Sequence, residues 1–397
     1  MKHIRFSRTV WLLGVISLLA DISSELLYPV LPVYLRNAGY SMLALGILEG
    51  VANVIAGISK GYFGHLSDDT GKRHLFVRWG YGLSALGKLL MLGLPDLFRV
   101  YVGRATDRLG KGIRTSPRDA LLANESTAES RAAVFGFHRS MDTLGAAIGP
   151  ALALLWLSFH PGDYTTIFIL AFAPALLSFF VTFMVRDLDS SDRHVVSTSR
   201  TGFFGYLSYW NTSSRQYRGL IRPLLLLALV NSPDTFLLLA IKEAGASDVQ
   251  MIAVYIFYNL MYALLATPVG VLADRWGKEK VLLWAVLFFA ITYAGITILT
   301  DASYFYVLFG VYALAMSGME SVVKAIIANK VPREDRGKAL GFYASANSIG
   351  MLIAGVWAGW LWKFSGPDFV FGATAMGAVI VAVWLWFTNR EKVYLDK

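Results

Sequence analysis

Asp21 and Glu25 stand i, i+4 inside the apolar run 10–35, so a helix carries both carboxyls on one face. Two carboxyls so close can hold a proton or a cation between them. The competing reading makes them counter-ions for arginines on another span. A second group supplies those arginines. Arg104, Arg108, Lys111, Arg114 and Arg118 follow one another at steps of four, three, three and four, which is one stripe along a helix. Such a stripe binds an anion or neutralises the acids, and it must face protein or water. Pro117 is expected to kink or end this helix, putting Arg118 and Asp119 in solvent at its mouth.

Further along, His138, Asp142, Gly145 and Gly149 share a helical face, with Pro150 directly after. His138 titrates near neutrality or serves as a structural hydrogen-bonding residue, and Arg139 is placed to pair with Asp142. Asn231 and Asp234 flank Pro233, and Glu320 with Lys324 forms an i, i+4 pair that reads as an internal salt bridge. An ionisable group at membrane depth costs at least about 2.5–3.5 kcal/mol. The candidates for substrate or proton coupling are therefore Asp21, Glu25, Arg104, Arg108, Lys111, Arg114, His138, Arg139, Asp142, Asn231, Asp234, Glu320 and Lys324. They are denser in the first half, where coupling chemistry is expected.

The elements that hold these groups follow from composition. Of 397 residues 56% are hydrophobic and only 16% charged, with a mean hydropathy of +0.53; a soluble domain carries roughly 25% charge. One anchor cannot raise the average so far, so the bilayer is the main solvent. Spans are expected at 10–35, 41–63, 75–94, 97–122, 132–159 and 165–185. A second set is expected at 220–241, 249–273, 281–299, 304–327, 340–362 and 369–387. Between the sets, 186–218 is polar, while Phe203, Phe204, Tyr206, Leu207, Tyr209 and Trp210 suggest a short segment on the membrane surface. The expected organisation is a bundle at 1–185, a cytoplasmic linker at 186–219 and a second bundle at 220–397.

The loops leave no room for a catalytic domain. No cysteine is present, and no clustered metal ligands, nucleophile elbow or phosphate-binding loop is visible. The chain is thus expected to be neither an enzyme nor an ATP-driven pump, and to need no cofactor or metal. The net charge of +9 reads as topogenic rather than nucleic-acid-binding, because Lys72, Arg73, Arg275, Lys278, Lys280, Lys330, Arg333, Arg336 and Lys338 fall on one side with the basic N-terminus. Both termini are expected in the cytoplasm of a multi-pass cell-membrane protein, the inner membrane in a Gram-negative cell.

The two sets are also related to each other. G-H-L-S-D at 64–68 aligns with G-V-L-A-D at 270–274, and N-A-G-Y-S at 37–41 with E-A-G-A-S at 243–247, at an offset of 206. At 205, Ala123-Asn124 meets Ala328-Asn329, Arg131 meets Arg336, Gly136-Phe137 meets Gly341-Phe342, and Ser140 meets Ser345. An ordered series of this kind indicates duplication, and substrate sites of such transporters lie at the repeat interface.

The turn carrying Gly64, Asp68, Gly71, Lys72 and Arg73 resembles the G-x-x-x-D-R-x-G-R-R signature of the major facilitator superfamily, and Gly270, Asp274, Arg275, Gly277 and Lys278 form its second copy. Asp69 stands where the family usually has Arg. Arg108-Leu109-Gly110-Lys111-Gly112 is similar to the R-x-x-Q-G element, with Lys for Gln; in that family the Arg is associated with proton coupling. Gly145, Gly149 and Pro150 resemble the antiporter element G-x-x-x-G-P-x-x-G-G, although Ala153 and Leu154 replace its final glycines; the same residues suit plain helix packing.

The resemblance implies an all-α membrane protein with twelve transmembrane helices in two pseudo-symmetric six-helix bundles, acting by alternating access as a monomer. Its expected partners are a small-molecule solute, a coupling proton and membrane lipid, with no nucleic acid, and its signature turns act as a gate latch. Three functional readings stand: proton-coupled export of a small organic solute; proton-coupled uptake of an anionic nutrient or metal chelate; and a non-transporting membrane receptor.

Overall fold

The computed structural model describes residues 6–28, 30–37, 42–92, 97–186, 204–232, 234–246, 248–299 and 304–395. The repeat positions 38–41 and 247, most of the polar linker including Phe203, and the basic residues Lys2 and Arg5 lie outside the described residues. So does the Asp234 side chain. Among the described residues there are fifteen α-helices, three short 3-10 turns and no strand.

In chain order the helices are α1 (Arg8–Leu27), α2 (Val30–Asn37), α3 (Met42–Thr70), α4 (Arg73–Leu90), α5 (Leu97–Asn124), α6 (Arg131–Phe159), α7 (Tyr164–Val181), α8 (Tyr209–Thr212), α9 (Arg215–Val230), α10 (Asp234–Glu243), α11 (Asp248–Trp276), α12 (Lys278–Ile298), α13 (Tyr304–Lys330), α14 (Arg336–Ser365) and α15 (Pro367–Leu395). Among the described residues eight stretches are long and apolar enough to cross a membrane. They fall in α1, α6, α7 and α11 to α15. The other expected spans correspond to α3, α4, α5 and the α9–α10 pair.

Two spans read as continuous are interrupted. A proline stands between α9 and α10 (Pro233), and residues before it leave helical geometry, Asn231 being extended; Pro29 stands between α1 and α2, although Tyr28 before it keeps helical angles. The interruption of α9 leaves carbonyls without the usual amide partners, and in lipid such groups must be satisfied by protein. Trp357 Nε1 donates to Leu229 O at 2.5 Å and Thr374 Oγ1 to Val230 O at 2.9 Å. The Tyr293 hydroxyl lies 3.2 Å from Ser232 O and 3.3 Å from Asn231 Oδ1. In α5 the expectation fails in the other direction. The helix runs through Pro117 to Asn124 without ending.

The chain folds into two compact units. One is Met1–Thr127, Met141–Asn211 and Pro332–Ser345; the other is Ala128–Ser140, Thr212–Val331 and Ala346–Lys397. In the first, α5 packs on α3 and α4, and α7 on α1 and α4; in the second, α13 packs on α11 and α12, and α15 on α9 and α12. The same four pairings recur because the same apolar faces recur. Helices α6 and α14 each give their first turns to one unit and the rest to the other, dividing after Ser140 and Ser345. In the first unit Leu26, Leu27, Leu31, Leu35, Met91, Val100, Ile167 and Phe168 form a buried cluster. Leu155, Ile169, Phe180, Trp284, Val307, Val356 and Met376 are exposed, as side chains facing lipid are. Lipid tails are as apolar as leucine, so the cluster is held by close packing rather than by exclusion of water.

Candidate functional site

Close backbone approach builds the first cluster. A β-carbon on Gly145 would lie 2.6 Å from Leu18 O, and one on Gly149 would lie 2.8 Å from Ile22 O; only glycine lets α6 come so near α1. That approach brings Asp142 to α1. Its Oδ1 accepts from Ser17 Oγ at 2.7 Å, and its carboxyl meets that of Asp21. Lys111 on α5 is a basic neighbour of both Asp21 and Glu25, and Arg108 and Arg104 also act on Glu25. Asp21, Glu25, Arg108, Lys111 and Asp142 are all half-buried.

The rest of the stripe is spent on internal partners. Arg104 is 2% exposed and lies 3.7 Å from Asp107, which in turn takes Lys88 Nζ at 2.8 Å. Lys88 also donates to Ser24 Oγ on α1 at 3.0 Å. Arg114 sits 4.2 Å over the Tyr81 ring and donates to the Ser84 hydroxyl, a pairing that suits a desolvated guanidinium. The expectation that Arg118 and Asp119 are solvated is corrected. Because α5 continues past Pro117, both are buried; Arg118 binds Asp119 Oδ1 at 3.0 Å and donates to Ser17 Oγ at 3.3 Å.

In the second unit Arg139 finds a partner far along the chain. Arg139 Nη1 lies 3.2 Å from Glu320 Oε2. Its Nε donates to the Tyr262 hydroxyl at 2.9 Å, and its guanidinium stands 4.8 Å from that ring's centroid. Tyr262 in turn donates to Met316 O at 3.2 Å. Glu320 thus looks across to α6 rather than only along α13 to Lys324. His138 is buried. Asn231 helps hold the α9 interruption through Tyr293.

The signature turns repeat one geometry. Gly71 and Gly277 both have positive φ, 66° and 103°, a backbone shape that favours glycine. The carboxylate before each then caps another helix. Asp68 Oδ2 accepts from Lys338 N near the start of α14 at 2.8 Å, and Asp274 accepts from Ala132 N at 3.1 Å and Ala133 N at 2.7 Å at the start of α6. These amides have no partner within their own helix, and the carboxylates also meet the positive end of the helix dipole. Arg73 Nε donates to Asp68 at 3.1 Å and its Nη2 to Arg333 O at 3.1 Å. Lys278 pairs with Asp274 at 2.6 Å. Burial pushes the Asp68 carboxyl up to about 6, against the pull of Arg73 and the Lys338 amide.

Helices also touch closely here. A β-carbon on Gly64 would strike Gly337 O, and one on Gly270 would strike Ala132 O. Lys72 and Arg275 are exposed. Asp69, the departure from the family pattern, takes Lys338 Nζ at 3.2 Å and His65 Nδ1 at 3.0 Å. The paired arginines of the repeat behave alike. Arg336 donates to Ala123 O at 2.9 Å and Asn124 Oδ1 at 2.7 Å, as Arg131 does to Ala328 O at 3.2 Å and to Asn329.

Sequence reading passed over Lys88, Asp107, Ser17 and Tyr262. Lys88 and Asp107 were findable by the rule that a charge within a span needs a partner; Ser17 and Tyr262 carry no such signal.

Known proteins match this architecture. The model of the Major Facilitator Superfamily matches residues 13–240 and 224–396. An uncharacterized MFS-type transporter of Methanocaldococcus jannaschii is 30% identical over 387 residues, covering 96% of this chain and 95% of that one. The inner membrane transport protein YajR of Escherichia coli is 23% identical over 389 residues, covering 97% and 83%. Among solved structures, the human organic anion transporter MFSD10 superposes with a TM-score of 0.81 at 15% identity, over 95% of this chain and 99% of that one. The E. coli fucose:proton symporter FucP gives 0.78 at 14%, over 95% and 98%; both likenesses speak to fold. With both halves matched and the signature turn present twice, the chain belongs to the major facilitator superfamily and is a multi-pass secondary transporter of small-molecule solutes, not an enzyme.

Proposed function

We propose that this transporter couples a small organic solute to protons and exports it, with Asp21, Glu25 and Asp142 exchanging the proton and Lys111 and Arg108 answering the change in charge. The observation that carries this reading is the meeting of the Asp21 and Asp142 carboxyls across α1 and α6. Two carboxyls hydrogen-bond to each other only through a proton, so the pair has a place for one. Export draws its support from the antiporter-like Gly145, Gly149 and Pro150 element. Half-buried Arg108 and Lys111 favour a second reading, the entry of an anionic nutrient or chelate.

Alternating access by the two bundles is part of the same proposal. Asp68 and Asp274 act as latches on the first turns of α14 and α6, helices that each run through both units. The protein works as a monomer with both termini in the cytoplasm, in the inner membrane where the cell has two.

Purified protein in liposomes tests the reading. A pH gradient should drive solute movement, and Asp21→Asn, Glu25→Gln and Asp142→Asn should each uncouple or abolish it. Full coupled transport by all three variants would refute the assigned roles. Binding without flux for every ligand would return the receptor reading.

A further inference from the structure

We infer that Arg139, Glu320 and Tyr262 form the cargo site for the carboxylate of a small organic anion, with Glu320 as an internal stand-in that occupies the guanidinium when no cargo is bound. The inference rests on the solute-transport reading above and concerns the cargo site alone; the exchanged proton of the export reading stays with Asp21, Glu25 and Asp142.

Three observations support it. First, position: Tyr262 is the middle residue of α11, about 21 Å from either end at 1.5 Å per residue, so the cluster lies deep in the membrane. Second, accessibility: the Arg139 and Glu320 side chains are 28% and 35% exposed, whereas Lys88 and Asp107 are 2% and 4%, and Arg118 and Asp119 are 10% and 4%. Among the described ion pairs inside the spans, this one keeps both partners reachable. Lipid on that exposed edge would carry the cost of charge in hydrocarbon, so the edge faces water. Third, preorganisation: Tyr262 bonds Nε, lies under the guanidinium plane and is itself held by Met316 O. The ring is 1% exposed, which makes it a platform for the arginine and not a surface for cargo. A planar guanidinium fixed in this way matches the planar fork of a carboxylate.

The exchange balances. A proton from water neutralises Glu320 and breaks its ion pair; the incoming carboxylate then pairs with Arg139, so one proton and one anion bind together with no net charge. Arg139 on α6 is the charged group in contact with Glu320; the elements packed against α13 also carry Tyr258 and Tyr262 on α11, Tyr293 on α12 and the exposed Arg222 on α9, and α13 itself carries Tyr312 and Lys324. Lys324, one turn from Glu320 on the same face, adds a second positive charge and so favours an anion over a cation.

The test uses the full-length protein in detergent, with acetate and benzoate as probes and benzamide and benzylamine as uncharged and cationic counterparts, at acidic and neutral pH. A carboxylate probe should bind at least about tenfold more tightly than its counterparts, and more tightly at acidic pH. Glu320→Gln should tighten it about tenfold at neutral pH and flatten the pH dependence; this gain cannot arise from misfolding. Arg139→Lys, which keeps charge but loses the fork, should weaken it about tenfold. Failure of both carboxylates to bind wild type and Glu320→Gln, equal binding of the amide or amine, or unaltered binding by Arg139→Lys would each overturn the inference. Flux in liposomes is read separately: the expected binding pattern upholds the site even if flux is absent and the carrier reading falls, while amine flux without carboxylate binding overturns the site and leaves the carrier standing.

Discussion

Asp68 shows what one side chain decides. Burial raises its carboxyl to about 6 from an ordinary 3.8, so the native chain binds a proton there more readily than the unfolded chain does. Its contribution to stability therefore rises as pH falls through about 6 and is lost as pH climbs back. Asp68→Asn should remove that slope, and thermal unfolding of wild type and variant from about pH 5 to 7 would show it; parallel curves would mean that the group does not titrate there. Lys88 argues a different case. Lys88→Ala leaves the buried Asp107 carboxylate with the more distant Arg104 at 3.7 Å and should cost about 3–5 kcal/mol, while replacing Lys88, Asp107 and Arg104 together by apolar residues should cost much less per residue changed. Equal losses per residue in the single and triple variants, read by chemical unfolding, would show that the cluster matters for volume and not for charge.

At the scale of elements, the contact between α1 and α6 is set by what Gly145 and Gly149 lack. Gly145→Val places a branched side chain where even a β-carbon would lie 2.6 Å from Leu18 O. It should cost about 1–3 kcal/mol through overpacking and separate Asp142 from Ser17 and Asp21. Loss of proton coupling with little loss of thermal stability would show that the glycines position the acids; unchanged coupling would leave them as packing residues alone. The interrupted α9 makes a related point. A proline in the sequence predicts a weakened helix but not who satisfies the freed carbonyls, because Trp357, Thr374 and Tyr293 arrive from three other helices. Pro117 gives no break at all, since the helix around it is packed against α3 and α4 on both sides; tertiary contact outweighs the local penalty.

For the molecule as a whole, duplication organises both the pairings of helices and the helix caps made by Asp68 and Asp274. The offset of 205 that aligns Arg131 with Arg336 in the sequence also aligns their bonds to Ala328 and Ala123. Topology can be tested cleanly because the chain has no native cysteine. His160→Cys in intact cells should react with a membrane-impermeant maleimide, and Lys72→Cys only after permeabilisation; the reverse pattern would invert the orientation derived from the basic loops.

Solvent preference, helix count, internal repeat and family were legible in the sequence, because hydrophobic length and periodic recurrence are properties of the chain read in order. Which charges would be expensive was legible too. The partners were not: the arginine stripe reads as one surface, yet Arg104, Arg114 and Arg118 turn to buried internal groups while Arg108 and Lys111 stay half-buried, and Arg139 meets Glu320, 181 positions away. A carboxylate is claimed by whichever donor the packed helices bring within about 3 Å, and only the tertiary structure sets that distance.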